Sequence, residues 1–508
     1  MQSMSSRVSS VEVADGTRSL SHKEIALQAF VGLGDRLSNR RRSPVLPDAA
    51  QVATETTAKV SGTCFYAILY LAVPSLIFFA GFVKPLFAVP ALILLAIVLA
   101  RLALVTDFRM RLRGSDGLLV LASLAWTVLA GITPPFGQND DWLKHYALLN
   151  FLNAHQWPPA LDGEYLRYSL GWYLPPALAT KLAGLHDSDT IVALWTGLGA
   201  FLALRLVTGS YATARRVAAA TLIFVFFSGL DVLGGLMMNR GSLPANHLEW
   251  WVGWGQISSN MTSFFWVQQH ALAGWIVVGL MLRMKAEKLV SLSVLLFGLV
   301  AFWSPFVAIG WVPFAAWLLT QAPRLRAVFS LDNILAAIPA VLLLSYLLSG
   351  TAQLKHEPIW EFRPLFTWAS LPLFMLLEWG VFVVAILYAG TRHKTLLLVA
   401  SATLAALSFY RFGEYNDLLM RGSIPAIAFL AVISTEALLT APLERTAPLL
   451  MLVAIGAMTG AAEIARDVSK PHANSALIKF EEYARVLGVH RAQYLAPKPF
   501  ILRSRLRQ

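Results

Sequence analysis

From residue 62 onward the chain is a series of apolar runs, parted by short polar stretches. A helix rising 1.5 Å per residue crosses a hydrocarbon layer of about 30 Å in about 20 residues. The runs therefore predict spans at 62–81, 84–105, 116–132, 189–208, 217–237, 266–284, 288–303, 306–321, 331–350, 370–390, 395–410, 423–441 and 447–465. Within a bilayer every backbone polar group must be bonded inside the protein, which favours helices for such runs. The expected fold class is all-α: a polytopic transmembrane helical bundle of about 13 spans, with juxtamembrane helices in its first large outside loop.

Composition agrees. Charged residues make up 14% of the chain and hydrophobic residues 57%, whereas soluble domains carry about 25% charge. The 16 Trp and 29 Phe suit a chain with many membrane–water boundaries. A single cysteine, Cys64, excludes an intrachain disulfide framework and a cysteine-based metal site. The net charge of +12 reports orientation before partners, so no nucleic-acid partner is expected, and membrane lipids are.

Residues 1–61 read as a cytoplasmic basic, disordered arm carrying Arg40, Arg41 and Arg42, residues 62–465 as the transmembrane module, and residues 466–508 as a soluble basic C-terminal tail with a helix near 476–487. With the arm inside, Arg109, Arg111 and Arg113 also fall inside, and "QNDDWLKH" at 138–145 emerges outside. The segment 168–185, "YSLGWYLPPALATKLAGL", decides the rest of the topology. As a half-inserted helix broken by Pro175 and Pro176, it leaves the later Lys/Arg clusters inside; as a full span, it would expel them. The first count places 133–188, 238–265, 351–369 and 411–422 outside. It predicts an integral, multi-pass protein of a bacterial inner membrane with a cytoplasmic N-terminus.

These outside loops hold the unusual polar chemistry. Leu143, Tyr146, Ala147, Asn150 and Phe151 share a helix face, which predicts an amphipathic interfacial helix with Asp140 and Asp141 at its start. The aspartates suit either helix capping or general-base work. The loop after 238 adds His247, Glu249, four tryptophans and Gln256, then Gln268, Gln269 and His270 at the mouth of a span. Its tryptophans suit an interfacial belt or a sugar platform. The stretch "YRFGEYNDLLMRGSIP" brings Arg411, Glu414, Asn416, Asp417 and Arg421 between two spans. Arginines there suit a phosphate, and Asp417 with Arg421 also suits an internal i,i+4 pair.

Asp140-Asp141 followed by Lys144, His145 and Tyr146, then the proline-bearing "GWYLPPAL" at 171–178, resembles the GT-C glycosyltransferases, such as protein O-mannosyltransferases and lipid A aminoarabinose transferases. The resemblance implies a GT-C-like bundle that takes a sugar from a polyprenyl-phosphate donor and passes it to a lipid, glycan or protein acceptor at the outer face. It implies Asp140 as general base and Asp141 as its companion. Lys144, His145, His247, Glu249, His270, Arg411, Asp417 and Arg421 are the candidate substrate-binding residues. The cofactor is unknown from sequence; Asp140, Asp141, His145, His247 and Glu249 could hold a divalent metal if two distant loops meet. A transporter or flippase, or a non-catalytic subunit of an envelope polysaccharide assembly, remains the alternative.

Overall fold

The computed structural model describes residues 59–109, 112–185, 188–243, 247–322, 324–351, 354–363, 365–413 and 415–503. The basic arm with Arg40–42, together with Arg111 and Glu414, lies outside the described residues. About 70% of the described residues are helical and 4% strand. Among the described residues seven helices are long and apolar enough to cross a membrane: α1 (Gly62–Phe82), α2 (Pro85–Leu104), α6 (Asp189–Thr208), α14 (Leu331–Leu348), α15 (Ser370–Ala389), α17 (Asp417–Thr440) and α18 (Leu443–Val468). Shorter apolar helices lie between them: α3 (Asp116–Leu129), α12 (Ser293–Trp303), α13 (Pro305–Gln321) and α16 (Lys394–Leu407). The remaining helices are α4 (Asp141–Ala154), α5 (Leu174–Ala183), α7 (Ala214–Val225), α8 (Asp231–Met238), α9 (Asn260–Trp266), α10 (Gln268–Arg283), α11 (Ala286–Ser291) and α19 (Phe480–Leu487).

Ion pairs mark one end of the bundle. Asp116 at the start of α3 meets Arg205 near the end of α6 at 3.1 Å. Asp332 at the start of α14 meets Arg101 near the end of α2 at 2.6 Å and Lys288 at 3.0 Å. α4, α5 and the C-terminal tail gather at the other end. Between these ends helices close on small residues, as expected where lipid supplies little hydrophobic drive and packing must hold the helices. A methyl group at Gly279 of α10 would lie 2.6 Å from Leu206 Cβ of α6, and one at Gly298 of α12 would lie 2.8 Å from Ala340 Cβ of α14.

The segment 168–185 yields only the ten-residue α5, about 15 Å long and half a hydrocarbon layer. Pro175 and Pro176 do not break it. They open it, where the missing amide hydrogen of proline costs no helical bond. Gly184, at φ +64°, closes it in the left-handed region that glycine enters freely.

α4 also departs from expectation. It is not a helix with one face in water, because Trp142, Lys144 to Leu149, Phe151 and Leu152 are all buried. The cover comes from α5 and from the C-terminal tail, which folds onto the first loop and does not stand apart. Phe480 of α19 stacks on Phe151 at 4.5 Å, and Asn150 donates to the carbonyls of Ser475 and Ile478 at 2.7 and 2.8 Å. A three-stranded antiparallel sheet joins Ala160–Leu161 and Glu164–Leu166 to Leu495–Ala496, pairing Leu166 with Leu495. Arg503 then donates to Ala80 and Val83 at the end of α1.

Candidate functional site

The first turn of α4 is fixed from behind. Gln138 donates to the Gly131 carbonyl at 2.6 Å and to the Tyr146 hydroxyl at 2.7 Å. Asn139 donates to the Phe265 carbonyl at 2.8 Å, and its side-chain oxygen accepts from the Asp141 amide at 3.1 Å. Asn139 thus supplies the side-chain bond at the helix start, and Asp140 makes no capping bond. The Asp140 side chain is 84% exposed and lies 3.8 Å from Lys470. Asp141, one helical step of 100° away, is 30% exposed and turns toward buried Lys144.

Asp141 forms an ion pair with Lys144, one turn further along α4. Burial alone would raise the Asp141 carboxyl, but Lys144 and, further off, Arg421 hold it below the ordinary carboxylate range. Burial opposes the Lys144 charge, and Asp141 more than offsets this, lifting the ammonium above its usual range. Both groups are therefore charged near neutrality. Arg421 belongs to α17, where Asp417 pairs with it at 2.8 Å, the internal i,i+4 pair. Before Asp417 the chain turns through Gly413 (φ +81°) and Asn416 (φ +55°). A methyl group at Gly413 would run into the Asp417 carboxylate.

His145 is fully buried, and its tautomer follows from its partners. The Trp266 carbonyl, 3.0 Å from Nε2, can only accept, so Nε2 carries the hydrogen. Nδ1 accepts from the Tyr173 hydroxyl at 2.8 Å. Burial, then the neighbouring Lys144, push the imidazole pKa down to about 3. His145 is neutral at physiological pH and orients Tyr173.

Against this wall stands the first turn of α10. His270 lies within electrostatic reach of Arg421, Lys144 and His145. It is 2% exposed, and neither ring nitrogen has a hydrogen-bond partner among the described residues. The same holds for both amide atoms of the buried Gln269 and of Asn416. Unspent polar groups at such depth are uncommon in folded proteins and mark a place for a polar ligand or ordered water. Tyr168, Tyr483 and Tyr494 complete the surroundings: Lys144 and Arg421 both feel Tyr168, and Tyr494 is also among the groups acting on Arg421. Sequence reasoning missed Tyr173 and the two tail tyrosines, whose only local signal is an aromatic residue in a short amphipathic stretch.

His247 and Glu249 gather elsewhere, around the Gln256 side chain. The His247 ring stacks on the Trp266 indole at 5.6 Å, and burial, then Arg466 and Lys470, push its pKa down to about 3. Glu249 is fully buried, accepting from Gln256 at 2.5 Å and from the Ser259 amide at 2.9 Å. Two of the four tryptophans of this loop, Trp251 and Trp254, are buried and belong to neither a surface platform nor a belt. Trp251 donates to Glu378 at 2.8 Å and Trp254 to Ser370 at 2.9 Å, both inside the protein, whereas Trp250 is partly exposed. Arg411 is engaged as well, on Glu357 at 2.7 Å and over the Phe362 ring at 3.7 Å. Among the described residues no three His, Cys, Asp or Glu side chains gather into a metal-binding group.

Burial, then Asp231 and Glu463, push the Glu249 carboxyl from 4.5 up to about 8. Between those values the folded chain keeps a proton that the unfolded chain has lost, so this group's contribution to stability falls as pH rises through the window. The melting temperature in detergent should therefore drop between about pH 6 and pH 8, and Glu249→Gln should flatten the drop. An equal slope in the variant would assign the effect to another group.

Comparison with protein families, with curated proteins and with solved structures returns no match for this chain.

Proposed function

We propose that the chain is an integral membrane glycosyltransferase of the GT-C type, passing a sugar from a polyprenyl-phosphate donor to a lipid, glycan or protein acceptor at the non-cytoplasmic face. The reading is carried by the meeting of Asp141, Lys144 and Arg421 with the unspent His270 and Gln269 at one end of an apolar bundle. Transfer needs a base for the acceptor's proton and cations for the departing phosphate. Asp141 is ionised and inward-facing, which makes it the base in place of Asp140. Arg421 and Lys144 take the phosphate, and His270 and Gln269 take sugar hydroxyls. Arg411 anchors the neighbouring loop.

On this reading the chain crosses an inner membrane about thirteen times with a cytoplasmic N-terminus, and α5 stays at the outer face. Cysteines at Asp140 and Tyr415, 84% and 59% exposed, should react with an impermeant thiol reagent in intact cells in a Cys64→Ser background. A cysteine at Arg215 should not. Labelling of only one of the first two would break the shared site. Purified protein should also retain a lipid-linked sugar phosphate detectable by mass spectrometry; its absence from protein purified in mild detergent would count against the donor.

A transporter is the second reading, favoured by a different feature. The chain breaks between α7 and α8, where a methyl group at Gly229 would run into the Glu378 carboxylate, and Glu378 sits in a π-helical turn of α15. Asp231 and Glu378 share a hydrogen bond in the interior. Broken helices with buried acids suit ion coupling. Solute flux in proteoliposomes that survives Asp141→Asn and fails in Glu378→Gln would favour it.

A further inference from the structure

At the end of the bundle opposite α4, a cavity of about 560 Å³ opens between the first turn of α1, the connection from α2 to α3 and the last turns of α6 and α10. Its size lies within the range of small-molecule sites. Lys59, Arg109, Arg113, Arg205 and Arg283 line it, with Asp107 as the lining carboxylate. Arg205 is already neutralised, both of its forks resting on Asp116 at 3.1 Å. Arg283 is held differently. It donates to the carbonyls of Leu206 at 2.5 Å and Val207 at 3.1 Å, and to the Ser210 hydroxyl, so its charge is oriented without being cancelled.

Lys59, Arg109 and Arg113 are exposed on the rim, and no carboxylate pairs with their side chains among the described residues. Burial, then Arg205, lower the Arg113 guanidinium from its ordinary range, and the Asp116 carboxylate, already spent on Arg205, offsets this only in part. Gly62 and Thr63, in the first turn of α1, also line the cavity. Amides there have no partner within the helix and carry the positive end of its dipole. Arginines that only set orientation need no more than water, and Arg215 and Arg216 lie near this end without lining the cavity. Unneutralised cations converging on a concavity need a compact anion with several acceptor oxygens.

We propose that this cavity binds a phosphate-bearing anion, held by Lys59, Arg109, Arg113 and Arg283 over the first turn of α1. The site lies about 20 Å from His270 along α10 and is independent of the glycosyl-transfer reading. An anionic phospholipid headgroup and a soluble phosphorylated molecule share this chemistry. Two arms separate them, both with the full chain in nanodiscs. Native mass spectrometry compares retention of phosphatidylglycerol with that of phosphatidylcholine, and inorganic pyrophosphate is titrated in phosphatidylcholine alone. Selective retention of phosphatidylglycerol names the lipid source, and saturable pyrophosphate binding names the soluble one.

In either case Arg109→Ala/Arg113→Ala should weaken binding about tenfold or more, because exposed guanidinium–phosphate bonds are lost without breaking an ion pair. Arg215→Ala/Arg216→Ala removes the same charge from the same end and should change binding by less than about twofold. The proposal is overturned if neither probe binds selectively, if the first pair of substitutions leaves binding unchanged, or if both pairs weaken it equally.

Discussion

Asp141→Asn protein is expected to retain the donor and to transfer sugar about 100- to 10,000-fold more slowly, the usual cost of deleting a general base. Asp140→Asn, altering a side chain that is 84% exposed, should stay within about tenfold of the unaltered rate. Asp141→Asn also removes the ionic partner of buried Lys144, and an unpaired buried charge costs stability by itself. Asp141→Asn/Lys144→Met removes both charges and restores the balance. If the double variant melts near the unaltered protein, retains the donor and still fails to transfer, the lost function is proton abstraction, because loss of the Lys144 phosphate contact would show as lost donor retention. Recovery of transfer together with stability would make Asp141 a structural partner of Lys144.

The largest loss of stability is expected from Arg205→Met. Its guanidinium and the Asp116 carboxylate are 4% and 7% exposed and join α3 to α6 through two bonds of 3.1 Å. Removing one partner strands the other charge, a loss of about 3–5 kcal/mol. Replacing both with apolar residues, as in Arg205→Met/Asp116→Leu, should recover most of it, because neither charge must then be desolvated. Denaturation in mixed micelles measures the pair. Equal losses in the single and double variants would mean that the guanidinium's bond to Thr63 of α1, and not its pairing with Asp116, carries the contribution.

What the sequence made legible is what a local pattern can encode. Apolar runs place α1, α2, α6 and α14 within a few residues, because length and hydropathy together define a helix that can cross a membrane. The polar stretches around Asp141, His270 and Arg421 stand out because charge is costly between such runs. Their meeting is visible only in the fold. Asp140 and Asp141 are equivalent in type and differ only in which way the first turn of α4 faces, and that is fixed by Asn139 reaching the Phe265 carbonyl. Trp251 and Trp254 read as interfacial because composition cannot reveal that Glu378 and Ser370 accept their indole hydrogens inside the protein. Pro175 and Pro176 carry the same letters whether they interrupt a helix or start one, and Leu174 as the first helical residue settles it.

The tail that closes over α4 has a consequence for how the protein matures. Arg167 in the first loop bonds to the Ala492 carbonyl, 325 residues later in the chain, and the Tyr494 carbonyl accepts from the Arg167 amide at 2.7 Å. A ribosome making the chain in order releases these partners only after every residue of α18. Until then α4 has its inward face formed but lacks Phe480 above Phe151. Closure over the first loop thus waits on residues 475–503: a chain terminated before them would leave Phe151 without Phe480 and Asn150 without the carbonyls of Ser475 and Ile478. A tag fused after Arg503 would test the seal itself, since that arginine holds the tail against the end of α1.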